Sequence, residues 1–298
     1  MDIQNKTDQS ILVSQNLKLN TGLKKKKMIS IFFSYVLLAF LSIIFLLPFL
    51  FMIGTSFKSY EEIVSRPLNP FPLNPTLQNF QLLFEKLPFM TQLFNSLIIA
   101  VSITVLAVFI NSLVAFGFAR YTFKYQNILF VSVLATMLVP PPLTLVPSFM
   151  MFRTFGWLDT FLPLILPGAA SAFGVFLIRQ VMISIPRELY ESARIDGCSE
   201  LGTFFRIAMP LSKSAIGIIA LLTFMGSWND FLGPLIYLTS ETKMTLAVGI
   251  TTMNNPYQID YASPITGSFL MAIPVLIILS IVGQKYFVEG LTAGAIKG

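Results

Sequence analysis

Long apolar runs alternate along this chain with polar segments that hold nearly all the charge. Met28–Phe57, Leu87–Ala119, Tyr125–Phe152, Thr160–Ile178, Ser214–Ser240 and Tyr261–Gln284 each approach or exceed the roughly 20 residues that cross a hydrocarbon core as a helix. Asp230 is the one acid embedded in a run. The pattern predicts an all-α polytopic membrane protein with six spans and both termini on one side. Proline recurs inside the runs, at Pro48, Pro140, Pro141, Pro142, Pro147, Pro163, Pro167, Pro234 and Pro274, so bent helices are expected. Pro140-Pro-Pro142 cannot continue a regular helix and predicts a break in the third span.

The polar inserts differ in character. Between the fourth and fifth runs, residues 184–212 read as two short helices. Pro186 suits a first turn, Glu188 and Glu191 complement its positive end, and Gly197 is placed to stop the helix in a left-handed cap. Ser199 can cap the second helix, and Leu201, Phe204 and Phe205 return the chain toward the bilayer before Pro210. Ser192 and Ala193 keep one face low enough for a partner protein's groove, although the spacing alone equally fits a solvated interfacial hairpin. The long connection Lys58–Leu87 carries Pro67, Pro70, Pro72 and Pro75 within Arg66–Pro75, an extended stretch that cannot be helical, and Thr239–Ser263 is a second long connection; either reads as a passive linker or a binding element. The leader 1–27 is polar through Gly22 and reads as disordered.

Composition agrees with the class: 55% of residues are apolar, 11% are charged, and mean hydropathy is +0.75. With no histidine and a single cysteine, Cys198, a disulfide within the chain is excluded and zinc-hydrolase or His-triad chemistry fails. Of 20 Lys and Arg, the amino-terminus-in orientation puts fifteen on the cytoplasmic side and leaves Lys58, Arg66, Lys86, Arg153 and Lys243 outside. The positive-inside bias selects that orientation, and the net charge of +6 is a topology signal, not a nucleic-acid footprint. Lys24–Lys27 before an apolar run resembles a signal peptide, but the run is about twice an h-region and lacks a small-residue cleavage site, so it reads as a retained helix.

If the fifth helix were regular, Asp230 would sit roughly 25 Å along it from Lys213, in the outer half of the bilayer. An intramembrane acid is a functional candidate, which marks Asn229 and Asp230 as substrate-pathway residues. The competing reading puts Asp230 at the outer interface with Trp228 as an aromatic anchor.

Glu191-Ser-Ala193, then Asp196-Gly197, then Ile207-x-x-Pro210 resembles the EAA loop of bacterial ABC importer permeases, with serine at the first alanine position and Cys198 where alanine is usual. Trp228-Asn-Asp-Phe231 and the tail Val288–Gly298 are similar to the carbohydrate branch, specifically the shorter subunit of maltose-type permease pairs; Asp230 stands where that branch often has glutamate. The resemblance implies a type I importer permease fold, with a first helix at 28–57, an outer loop at 58–87, a core at 88–288 and a cytoplasmic tail at 289–298. It implies three kinds of partner besides the lipid bilayer, namely a second homologous permease subunit, a dimer of ATP-binding subunits and an extracytoplasmic solute-binding protein, and no nucleic acid in any role. Glu188, Glu191, Ser192, Ala193, Asp196 and Gly197 would couple to the ATPase, and Thr292, Ala293 and Gly294 would touch it from the tail. ATP and magnesium would belong to those partners, since this chain has no phosphate loop and is expected to be neither an enzyme nor a cofactor carrier. The location implied is the bacterial cell membrane.

Three alternatives compete. An ion-coupled secondary transporter would use Asp230, but no second copy of the Trp-Asn-Asp feature marks an inverted repeat. A membrane enzyme would need an acid–base cluster that is missing. An ABC importer for a non-sugar solute would share every feature of the loop.

Overall fold

The computed structural model describes residues 2–253 and 261–283, with residues 2–27 and 29 described by backbone alone. Helix α1 (Asp2–Ser56) carries the first apolar run. Its backbone helix reaches back to Asp2, through the leader that composition marks as polar. No proline interrupts the chain before Pro48, and extending an existing helix is far easier than nucleating one.

Two short helices, α2 (Tyr60–Ser65) and α3 (Gln78–Lys86), flank the proline-rich stretch, which is non-helical as expected. The stretch is not a loose linker. Pro70 lies so close to α1 that a Cβ on Gly54 would come within 1.6 Å of its carbonyl oxygen. Lys58, only 1% exposed, donates its ammonium protons to the carbonyls of Arg66 (3.2 Å) and Asn69, and the Glu62 carboxylate accepts from the Leu73 amide at 2.7 Å. A buried ammonium needs acceptors, and the turns of this stretch supply them.

Helix α4 (Phe89–Arg120) is the axis of the molecule. The third run splits into α5 (Gln126–Ala135), continued by a 3-10 turn to Leu138, and α6 (Pro141–Thr154), bent by 99° at Pro140. The fourth comprises α7 (Leu162–Gly168) and α8 (Ala172–Ile183), continuing past the expected Ile178. Helices α9 (Arg187–Ile195) and α10 (Glu200–Thr203), a π turn (Phe204–Ala208) and α11 (Met209–Leu211) lead to α12 (Lys213–Trp228) across an 81° bend. Then follow α13 (Leu232–Tyr237), α14 (Leu246–Thr252) and α15 (Ala262–Ile278). Among the described residues four helices are long and apolar enough to cross a membrane, or up to six if each bent pair is one span.

The fifth run departs from expectation, because α12 ends at Trp228 and a new helix begins at Leu232. Asp230 accepts from the Gly233 amide at 3.3 Å, the bond by which an aspartate starts a helix, and Pro234 could not have supplied a helical N–H. Trp228 is no interfacial anchor either. It is 1% exposed, stacks on Phe224 at 5.7 Å and donates its indole N–H to the Met271 carbonyl at 3.2 Å.

Helix α4 packs on both α8 and α12, with a core cluster at each end. Near Arg120, Ala115 and Phe116 meet Ile178, Tyr190, Phe204 and Ile219. Toward Phe89, Ile99 and Ile103 meet Phe152, Leu164 and Tyr237. By contrast α1, α5 and α6 leave broad apolar faces exposed, among them Phe45 (72%), Leu138 (83%) and Val146 (70%), as helices bathed in lipid or covered by another subunit must.

Candidate coupling hairpin and central cavity

At the basic end of the bundle, α9 and α10 form a hairpin held from beneath. Tyr190 is buried under the Arg120 guanidinium, 5.0 Å from its ring centre, with Phe116 at 6.2 Å. Phe204, fully buried, packs on Phe116 at 5.5 Å. The Tyr121 hydroxyl donates to the Glu200 carboxylate at 2.6 Å. Desolvation, then that bond, holds the phenol up to about 12. The hairpin is thus attached to the last turn of α4 through both of its helices.

Local sequence sets the hairpin's shape. Gly197 sits at φ +76°; its amide donates to Arg194 and the Cys198 amide reaches back to Ala193 at 2.9 Å, the paired bonds of a left-handed helix stop. Ser199 caps α10 by accepting from the Gly202 amide at 3.1 Å. Both features match the sequence expectation.

The structure sorts the expected coupling residues by face. Glu188, Glu191, Ser192, Asp196 and Gly197 are exposed, whereas Ala193 is half-buried beside Tyr190's side of the helix. Ser192 spends its hydroxyl on the Glu188 carbonyl at 2.8 Å. Among the described residues no ion pair or hydrogen bond engages the carboxylates of Glu188, Glu191 or Asp196. Ile195, 86% exposed, and Leu189, 45% exposed, add apolar surface that the sequence reading overlooked. Its signal was available: an isoleucine beside a helix-stopping Asp-Gly, on a helix whose core contact is already made by Tyr190.

A cavity of about 670 Å³ lies midway along α4, between α7, α8 and α12 and the bend of the third span. Ile99, Ile103, Leu164, Phe173, Ile219 and Leu222 give it an apolar lining, and Asp230 reaches it. Asn229 does not. Its amide turns back to the Met225 carbonyl at 2.9 Å, so the two residues expected to act together are separated. Thr292, Ala293 and Gly294 lie outside the described residues.

At the opposite end, Asp159 ties the α6–α7 turn to the segment after α13. From a left-handed backbone (φ +57°) its carboxylate accepts from the amides of Thr239 (3.0 Å) and Ser240 (2.9 Å), from the Ser240 hydroxyl and from Lys243 Nζ at 3.2 Å. These donors, led by the Ser240 hydroxyl, hold its pKa well below the usual carboxylate range. Asn95 donates in parallel to the carbonyls of Thr242 and Met244.

Residues 108–287 match the family described as binding-protein-dependent transport system inner membrane component. The arabinooligosaccharides transport system permease protein AraQ of Bacillus subtilis is 38% identical over 262 residues, covering 87% of this chain and 92% of its own. The sulfoquinovosyl glycerol transport system permease protein SmoH of Agrobacterium fabrum is 33% identical, covering 85% and 89%. A crystal structure of a bacterial ABC transporter that imports the acidic polysaccharide alginate contains a chain with a TM-score of 0.75 at 22% identity, covering 85% of this chain and 95% of that one, a likeness of fold. With its capped hairpin and its helix bundle, the chain belongs to the inner membrane permease components of binding-protein-dependent ABC importers.

Proposed function

We propose that this permease carries a carbohydrate, forming half of a translocation pathway and coupling it to ATPase subunits through residues 188–210. One observation carries the coupling assignment: the hairpin's inner face is fixed to α4, while its outer face holds three carboxylates without partners and the exposed side chain of Ile195. A polar helix face left unpaired at the basic end of a membrane bundle suits a protein partner. In this reading the basic end is cytoplasmic and both termini share that side. A dimer of ATP-binding subunits, carrying ATP and magnesium, docks under α9, while the tail residues Thr292, Ala293 and Gly294 reach toward it. A second homologous permease covers exposed faces of α5 and α6, and a solute-binding protein delivers substrate at the opposite end. The names of the relatives support the carbohydrate class.

Closure of the ATPase dimer would push α9, and the Tyr190–Arg120 and Tyr121–Glu200 contacts would pass that displacement to α4, which lines the cavity. Crosslinking tests the docking. A Glu191→Cys chain in the assembled importer is expected to crosslink to the ATPase subunit, and Ile195→Asp to weaken assembly at least about tenfold, as loss of a well-packed apolar anchor does. A crosslink from position 191 to the binding protein instead would overturn both role and orientation. For the substrate class, thermal shift of the cognate binding protein against a sugar panel is the direct measurement.

A further inference from the structure

The cavity wall formed by α12 carries chemistry that the coupling assignment does not use. Thr223 and Ser227, four residues apart on one face of α12, line it together with Asp230, which lies in the break just beyond the end of that helix. At the rise of a helix the two hydroxyl positions are about 6 Å apart along the axis. Hydroxyls elsewhere in these helices are mostly consumed locally: Thr104, Ser192, Ser268 and Ser280 each donate to the carbonyl four residues back. Thr223 and Ser227 do not, and among the described residues neither hydroxyl has a partner. The Asp230 carboxylate accepts from the backbone just beyond it, the Gly233 amide at 3.3 Å among these bonds, and its two oxygens retain further acceptor capacity. Between the hydroxyls, Gly226 is exposed and a Cβ added there would meet nothing within 4 Å, so the track faces open space. Phe173, 42% exposed, also lines the cavity together with the apolar side chains of Ile103 and Leu164.

We propose that Thr223, Ser227 and Asp230 form a hydrogen-bonding track in this chain for the hydroxyls of a saccharide, with Phe173 and its neighbours receiving the sugar's apolar face. The inference rests on the carbohydrate reading above and assigns the residues that meet the sugar inside the membrane. A saccharide presents a rim of hydroxyls and two faces of C–H groups, which is the complement of one polar stripe in an otherwise apolar cavity. The volume of about 670 Å³ falls within the roughly 300–1,000 Å³ of small-molecule sites. A cation fits less well. Asp230 is the only charged side chain on the wall, and no group of three metal-ligating residues occurs among the described residues. Two hydroxyls and one carboxylate also bind weakly enough to release what they guide.

The test uses the complete importer in membrane vesicles, with its binding protein and ATP, and a panel of neutral and acidic oligosaccharides that includes arabinotriose. Thr223→Cys and Ser227→Cys are modified with a small methanethiosulfonate, read on this chain by mass spectrometry. The imported saccharide is expected to slow modification at both positions at least about threefold and to leave Leu143→Cys, an exposed position off the cavity, unaffected. In the Thr223→Val/Ser227→Ala chain, uptake should fall about tenfold, the equivalent of one to two lost hydrogen bonds. Equal modification with and without a saccharide that the wild type imports, together with unchanged uptake in the double variant, would overturn the track. Protection by sodium in place of sugar would overturn it in favour of a cation site. A wild-type importer that moves no member of the panel would instead remove the carbohydrate reading itself.

Discussion

The two ends of α4 hold the bundle together by opposite means. At the basic end the hairpin is fixed by an aromatic nest and one cation–π contact, Tyr190 between Phe116 and Arg120, and its outer carboxylates remain unpaired. At the other end Asp159 accepts from Thr239, Ser240 and Lys243, and Asn95 donates to the carbonyls of Thr242 and Met244 in the same segment. The hairpin is a rigid piece with a free face, whereas the cap is a closed network. A docking surface must keep polar groups available for its partner, and a staple must use them. Substitutions at the hairpin should therefore change coupling with little change in stability, and substitutions at the cap should do the reverse.

The largest effect is expected at Gly197. A Cβ there meets nothing within 4 Å, so the penalty of a side chain is the positive φ alone, about 1–3 kcal/mol for a β-branched residue. Gly197→Val should misdirect the turn into α10, and uptake and ATP hydrolysis stimulated by the binding protein should fall together in reconstituted vesicles at matched protein levels. Gly197→Asn, which tolerates the left-handed region, should keep most of both activities. Wild-type uptake in the valine variant would remove the hairpin from the coupling path.

At the cap the expected loss is of stability. Asp159→Ala deletes the acceptor for two amides, a hydroxyl and an ammonium, and should lower the Tm of the purified importer while leaving transport per ATP hydrolysed unchanged. Because the folded carboxylate has a depressed pKa, its contribution is complete above the ordinary aspartate value of about 4 and is lost as pH falls through the folded value. The Tm difference between wild type and Asp159→Asn should therefore be constant from pH 6 to 8 and shrink under acid. A change in transport per ATP in Asp159→Ala, with Tm unaltered, would break the contrast between the two ends.

What the sequence revealed follows the range of each interaction. The Gly197 stop and the Ser199 cap involve residues within six positions, and the Pro140 break is a property of proline itself, so all three were legible. The break after Trp228 was not, although Asn229-Asp230 and Pro234 supplied the signal, because an apolar run was read as one uninterrupted helix. Asp159 lies 80 residues from the amide of Thr239, and no pattern along the chain announces that meeting. The cavity track sits between these cases. The spacing of Thr223, Ser227 and Asp230 is visible in the sequence, but that the two hydroxyls are unused and that all three residues line one cavity are facts of packing.

The smallest expected effect concerns Tyr121, where the hairpin borrows the cap's kind of bond. Its hydroxyl gives Glu200 one hydrogen bond at 2.6 Å, in a position 40% open to solvent, so Tyr121→Phe should cost about 1 kcal/mol or less. The folded phenol pKa is raised to about 12, so the bond's contribution is fully present below the ordinary tyrosine value of about 10 and is lost as pH rises through 12. Across pH 6 to 9 the difference between wild type and Tyr121→Phe should consequently be flat, both in Tm and in stimulated ATPase. If the bond serves chiefly to pass displacement from α10 to α4, the phenylalanine variant should show a modest fall in uptake per ATP with almost no change in Tm. The opposite split, a lower Tm with coupling intact, would class this contact with the cap and leave Arg120 over Tyr190 and the packing of Tyr190 and Phe204 on Phe116 to link the hairpin to α4.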